Sequence, residues 1–466
     1  MTRLLRRRNI KAGVKRIARG MKRRLQGSPL DIPSPMLPVP WHPLAEVASL
    51  PDARLKVLVL SHMYPHPQQP LFGTFVHEQV KALRQYQHID ARVLVGRPYW
   101  MTSKNPRVLL RVNKQYYLFH AACTWFNLDG VPVKYLPYRV TGPFWTHGWT
   151  YRAAICRGID RLRQVFPFAL IHAHTSYLDG SAGLALAKRY GVPLLITEHT
   201  GPFSSLMSHP VVKYWTRQAL YGAAHVIAVS TKQQHDIATY MALDKQTRLL
   251  VLPNGVDINN FYPPATWHPD PQAPRLLFVG YFVPVKNLPL LLEAFALVIR
   301  NLPGARLTLV GGGEVPQQVS ELQHLTQRMG LERQVTFLGP QPHTAVARIM
   351  REEADLLVLS SQAETFGCVL IEALACGKPV VSTRSGGPED IITADFLGEF
   401  CGNESPEALA QSIVTVASKI TTYAPARIRQ YIEDHFSYTF VTSALAELYR
   451  EVCYTGTSMR SGERGV

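Results

Sequence analysis

The chain has 466 residues, 46% of them hydrophobic and 18% charged, with a formal net charge of +17. That length exceeds what one core usually supports, so two domains are expected, and the composition excludes a disordered or low-complexity protein. The charge is mostly a property of the start: residues 1–24 hold 11 Lys or Arg and no acid, leaving +6 for the other 442.

Six cysteines (Cys123, Cys156, Cys368, Cys376, Cys401 and Cys453) are scattered without a C-x-x-C pair. This argues against a disulfide framework or a cysteine zinc site and suits a reducing compartment. No run of 18 apolar residues occurs; the best candidate, Leu288–Ile299, contains Glu293. Lys and Arg interrupt the start throughout, unlike a secretory signal. A soluble, cytoplasmic body is expected.

In residues 1–28, Ile10, Val14, Ile17, Met21 and Leu25 recur at spacings of 4, 3, 4 and 4, one face of an α-helix with Lys11, Lys15, Arg19 and Lys22 around it. A basic amphipathic helix can lie on an anionic bilayer; the competing reading is a solvated, disordered extension. Seven prolines between Pro29 and Pro51 then give a semi-rigid spacer.

From Arg54 short apolar runs alternate with helical-looking segments. Candidate strands are Leu55–Leu60, Ala91–Val95, Leu170–Ala173, Leu194–Thr197, His225–Val229 and Leu249–Leu252. A second set is Arg275–Val279, Ala305–Val310, Gln334–Leu338, Asp355–Leu359 and Pro379–Ser382. Val- and Leu-rich runs of this kind suit strands covered on both faces, and alternation with helices builds parallel sheets. The proline-rich stretch Tyr262–Pro274 separates the sets. Two doubly wound domains facing a cleft are expected, with ligands at the carboxyl ends of strands.

The strongest local pattern is Glu364-x7-Glu372 after the Asp355–Leu359 strand, with a helix expected over Phe366–Cys376 and ended by Gly377. A loop feeding a helix start, with Gly367 permitting close approach, offers free amides and a positive dipole end to a pyrophosphate. Eight residues of helix place the two carboxylates about 12 Å apart, longer than the roughly 5–9.5 Å of paired glycosidase acids. They read as two hydroxyl acceptors at opposite ends of a nucleotide sugar, the alternative for either alone being a cap or a solvated face.

This stretch resembles that of the retaining GT-B glycosyltransferases of family 4. Further motifs agree, over residues 54–450: Leu252-Pro-Asn-Gly-Val-Asp257, Phe278-Val-Gly280 with Lys286-Asn287, Gly311-Gly312-Gly313-Glu314, Thr383-Arg384-Ser-Gly-Gly-Pro-Glu389, Tyr64-Pro65, Gly73-Thr-Phe-Val76, Ile171-His-Ala-His174 and Thr197-Glu-His-Thr200. The resemblance implies two Rossmann-like domains, 52–262 on the acceptor side and 263–435 on the nucleotide-sugar side, after a tail and linker over 1–51. Residues 436–466 would include a helix crossing back to the first domain.

It further implies that Glu364 faces the donor hexose, with the amides of Phe366 and Gly367 near sugar and phosphates. Glu372 would take the ribose, Lys286 the pyrophosphate, and Gly73 would let a first-domain loop approach that pyrophosphate. Gly311 and Gly312 would form a turn beside the donor, and His199 would lie near the reacting carbon. His174 and Arg384 are further candidates; for His172 and His174, two apart on one strand, packing is the competing reading. The family often carries an Arg five residues before the phosphate Lys, and here that position is Tyr281.

Independently of any family, cleaving a sugar–diphosphate bond develops negative charge that a fixed cation and oriented amides stabilise. No Asp-x-Asp occurs, so no metal is expected; the co-substrate that the resemblance implies is a nucleotide sugar, expected to be UDP- or GDP-linked. Front-face attack with retention is the mechanism the resemblance implies. The acceptor is expected to be a glycan or lipid-linked molecule in surface polysaccharide or glycolipid synthesis, met at the inner face of the membrane through residues 1–28. The rival classes are an epimerase or phosphorylase on the same architecture, and a nucleic-acid binder, for which the tail lacks interleaved aromatics.

Overall fold

The computed structural model describes residues 42–44, 50, 53 and 55–462, apart from 67–68, 102, 104, 122–123, 143–145, 242–247, 314–315 and 402–404. The basic segment 1–28, most of the proline-rich linker and Glu314 lie outside the described residues.

The chain divides into two units. Unit 1 comprises residues 1–228, 234–251 and 442–466; unit 2 comprises 229–233 and 252–441. Unit 1 holds a nine-stranded sheet of β1 (His42–Leu44), β2 (Leu55–Leu60), β3 (Ile89–Trp100), β4 (Trp125–Leu128), β5 (Val131–Val140), β6 (Leu170–His174), β7 (Leu194–Glu198), β8 (His225–Ala228) and β9 (Leu249–Val251). Their order is β1-β4-β5-β3-β2-β6-β7-β8-β9. Every pair from β5 to β9 along that order is parallel, while β1 and β4 add antiparallel edges. Every residue of β6, β7 and β8 is buried, as two-sided helical cover demands.

Unit 2 holds six parallel strands, β10 (Arg275–Val279), β11 (Arg306–Val310), β12 (Val335–Gly339), β13 (Leu356–Leu359), β14 (Val380–Thr383) and β15 (Gly398–Cys401), in the order β12-β11-β10-β13-β14-β15. Each unit is thus a doubly wound α/β layer with its own apolar core. The C-terminal helix Tyr438–Gly462 starts in unit 2, but from Thr442 onward it belongs to unit 1, where Tyr449 Oη lies 2.6 Å from His172 Nδ1.

The eleven expected strands are all present. The hairpin β4–β5 and the edge strands β1 and β15 were not expected. The hairpin turns at Asp129 and Gly130, both with positive φ (49° and 84°), the conformation an Asp-Gly pair favours. Pro132 and Pro137 speak against a strand here, yet the register of β4 stops at Lys134. At Pro137 only β3 is paired, so a missing N–H costs the ladder little.

Candidate active site

In unit 2 the chain runs from β10 outward to β11 and β12, then returns to place β13 on the other side of β10. The strand order therefore reverses between β10 and β13, where open parallel sheets bind ligands at the carboxyl ends of their strands. Lys286 follows β10 and Glu364 follows β13, and their side chains form an ion pair across that point. Lys286 is 21% exposed and Glu364 10%.

Backbone contacts fix the pair. Gln362 N donates to Val285 O (2.8 Å) and Ser360 Oγ to Lys286 O (2.9 Å), tying the loop after β13 to the Lys286 turn. Ser361 Oγ donates to Glu364 Oε1 (2.6 Å). Glu364 N donates to Ser385 O (2.9 Å) and Gly387 N to Glu364 O (3.1 Å), so the loop after β14 clasps the carboxylate's own backbone.

The helix after Glu364 spans Cys368–Ala375, two residues shorter at its start than the sequence implied, because Gly367 stands at its N-cap in the left-handed region (φ 99°). Glu364 consequently lies outside the helix, and the 12 Å helical spacing does not apply; Glu372 is on it. No side chain caps the helix start. Phe366 is buried beside Phe436. Asn254 of the Leu252–Asp257 motif donates to Cys368 Sγ (3.5 Å) at the same helix start. Burial pushes the Cys368 thiol up to about 12, and the negative fields of Glu372 and Glu364 add to the effect.

The glycine turn closes the other side. Gly311 has φ 137°, and a Cβ there would stand 1.8 Å from Gly280 O, so only glycine lets the loops after β10 and β11 touch. Gly312 O accepts from Phe282 N (2.8 Å), completing that junction. Glu372 contacts His343 Nε2 (3.0 Å), and the ring of His343 meets Phe261 edge-on at 4.9 Å. His343 was missed from sequence; its signal was its place four residues past the end of β12. Tyr281, at the position where the family often carries an Arg, is 50% exposed. The exposed Arg384 lies over the ring of Phe400, 4.3 Å from its centroid.

In unit 1, His174 ends β6 and His199 follows β7; their rings stack, with His174 Nδ1 3.1 Å from His199 Nε2. Phe75 flanks His199 at 4.8 Å. His174 is buried and its pKa held well below the ordinary value, chiefly by burial and then by His172 and His199. Burial likewise lowers His199 to about 3. The adjacent Glu198, fully buried, accepts from His199 N (3.0 Å), Thr200 N (2.8 Å), Ser176 N (2.8 Å) and Ser176 Oγ, locking the His199 turn. The sequence motif Thr197–Thr200 included this carboxylate but assigned it no role. Gly73 caps the helix Thr74–Gln87 at φ 71°, with a Cβ there only 2.4 Å from the Met63 carbonyl.

Among the described residues no group of three or more His, Cys, Asp or Glu could hold a metal ion, and no helix is long and apolar enough to cross a membrane.

Residues 72–260 match the family described as Glycosyltransferase Family 4, and residues 265–431 match Glycosyl transferases group 1. Among curated relatives, D-inositol 3-phosphate glycosyltransferase of Segniliparus rotundus is 31% identical over 57% of this chain and 61% of its own length. That of Mycobacteroides abscessus is 32% identical over 56% and 61% respectively. The chain thus spans about three-fifths of these relatives. Sucrose-phosphate synthase from Thermosynechococcus elongatus superposes with TM-score 0.67 at 19% identity, over 86% of this chain and all of that one. Anabaena HepE in complex with UDP and glucose gives 0.63 at 20%, over 85% of this chain and all of HepE. With a doubly wound sheet in each unit and a family match on each, the chain belongs to the GT-B glycosyltransferases of family 4.

Proposed function

We propose that this protein transfers a hexose, with retention and without a required metal, from a UDP- or GDP-linked sugar to a hydroxyl of an acceptor. The observation that carries the reading is the Lys286–Glu364 pair spanning the strand reversal of unit 2, beside an uncapped helix start. As the sugar–diphosphate bond breaks, negative charge grows on the leaving phosphate. Lys286 and the amides from Phe366 onward stabilise it in a partly dehydrated site. Glu364 accepts hydrogen bonds from hexose hydroxyls, and Glu372, steadied by His343, those of the ribose. Without the donor, Glu364 compensates Lys286; on binding, the lysine turns to phosphate.

Unit 1 takes the acceptor, with His199 and His174 as its candidates. The relatives' name, D-inositol 3-phosphate glycosyltransferase, favours a small polyol acceptor. A surface glycan or glycolipid acceptor, with the enzyme peripheral on the cytoplasmic side of the membrane, rests on the basic segment 1–28. Donor binding to HepE, crystallised with UDP-glucose, is consistent with a UDP-sugar here.

A thermal-shift screen against UDP-, GDP- and ADP-sugars identifies the donor, because a ligand bound only by the native state raises the melting temperature. Lys286→Ala and Glu364→Ala should each lose at least a hundredfold in turnover while remaining folded. Wild-type turnover by either overturns the assignment.

A further inference from the structure

Unit 1 repeats the architecture of unit 2. The strands that follow β2 in the chain, β3, β4 and β5, all lie on one side of it, and the chain then returns to place β6 on the other side of β2. The strand order of unit 1 therefore reverses between β2 and β6, the position at which a doubly wound sheet binds its ligand. Two side chains meet across that reversal. His62, two residues past the end of β2, places Nδ1 2.8 Å from Oδ2 of Asp179, which lies in the turn after β6. The same topological position in unit 2 holds the Lys286–Glu364 pair.

The surroundings of Asp179 are built for one arrangement. The carboxylate is fully buried and accepts from Tyr151 Oη on one oxygen and from Thr175 Oγ1 (3.0 Å) on the other. Asp179 sits in a π-helical turn, Ser176–Gly180, a rare element found often at functional sites. Thr175, which opens the turn, has φ 146°, a region β-branched residues avoid. Such strain persists only where neighbours enforce it, here through the Thr175 hydroxyl on Asp179 and Gly180 N on Thr175 O (2.8 Å).

A carboxylate facing Nδ1 holds the ring proton there, leaving Nε2 of His62 as an acceptor. Among the described residues Nε2 has no hydrogen-bond partner, and His62 is 17% exposed. An imidazole acceptor backed by a buried carboxylate suits a neutral O–H donor and disfavours an anion at that atom.

The geometry points to His62 as the acceptor-binding residue of unit 1, its Nε2 accepting a hydrogen bond from a hydroxyl of a polyol or saccharide, with Asp179 as the positioning residue that fixes its tautomer. This rests on the reading of the protein as a glycosyltransferase, and assigns the site's acceptor contact.

Saturation-transfer NMR on the full chain with myo-inositol, D-inositol 3-phosphate and glucose, beside a calorimetric titration with UDP, tests it. At least one polyol should bind the wild type, and His62→Ala should weaken that binding tenfold or more while UDP affinity stays within twofold. Asp179→Asn should move the ring proton of His62 to Nε2, visible in long-range 15N–1H correlations, which a merely structural role would not do. Should Asp179→Asn fail to fold, His62→Ala carries the test from a part-exposed position. No polyol bound by the wild type, or equal binding by His62→Ala, overturns the inference. Failure of UDP to bind the wild type instead removes the donor-site reading, and the polyol result stands apart from it.

Discussion

Acid should unfold unit 1 before unit 2, because all the buried histidines among the described residues lie in unit 1. Burial lowers His66, His147 and His172 to about 3, from an ordinary value of 6.5. His172 spends both ring nitrogens internally, on Tyr449 Oη and on Thr197 Oγ1 (2.8 Å). A folded pKa below the unfolded one means that the unfolded chain binds protons first. The stabilisation is therefore whole above pH 6.5 and is lost as pH falls from there towards 3. At pH 5.5 the three together cost about 4 kcal/mol, a large share of the ~5–15 kcal/mol that holds a domain. A fall of roughly 10 °C in the melting temperature of unit 1 follows. Hydrogen exchange by mass spectrometry at pH 7.5 and 5.5, corrected for intrinsic rates, separates the units. Peptides from β6 and β7 should lose protection while those from β10 and β13 keep theirs to within about 1 kcal/mol. Equal loss in both, or none in unit 1, refutes the reasoning.

Gly311→Ala should destabilise unit 2 by about 3 kcal/mol and remove UDP binding, because its Cβ would meet Gly280 O at 1.8 Å and must part β10 from β11; an unchanged urea midpoint contradicts this. Lys378 is 1% exposed, has no hydrogen-bond partner for Nζ, and lies over Trp267 at 4.7 Å, with burial lowering it to about 8. Lys378→Met should therefore stabilise by ~2 kcal/mol at pH 7. That gain should shrink from pH 8 towards 10.5, where the lysine is neutral when folded; a destabilised variant contradicts it. His343→Ala, which releases Glu372, should weaken UDP binding three- to tenfold, the net worth of about one ordinary hydrogen bond; calorimetry showing equal affinity sinks the steadying role.

Repeating apolar runs made both sheets legible because strands covered on two faces must be apolar throughout. The β4–β5 hairpin was hidden by prolines whose harm depends on which neighbour is paired, a tertiary fact; its Asp129-Gly130 turn was the readable sign. The donor-side pair was legible in part: Lys286 and Glu364 were singled out separately, but their meeting depends on the strand order of unit 2. Spacing placed Glu364 on the helix; Gly367 in its left-handed conformation delays the helix start instead. Asp179 and His343 escaped notice because each gains meaning from a partner distant in sequence, as His62 and Asp179 do at 117 residues' separation.

The shared C-terminal helix has a consequence for biosynthesis. Leu445, Tyr449 and Val452 are buried, and Tyr449 closes over His172 within unit 1. Unit 1 therefore begins to leave the ribosome first yet is finished last, after unit 2 has been translated. At ~5–20 residues per second the roughly 190 intervening residues take on the order of 10–40 s. Throughout that interval the nascent N-terminal portion presents an uncovered apolar strip to chaperones, and a premature stop near residue 440 would leave it permanently open.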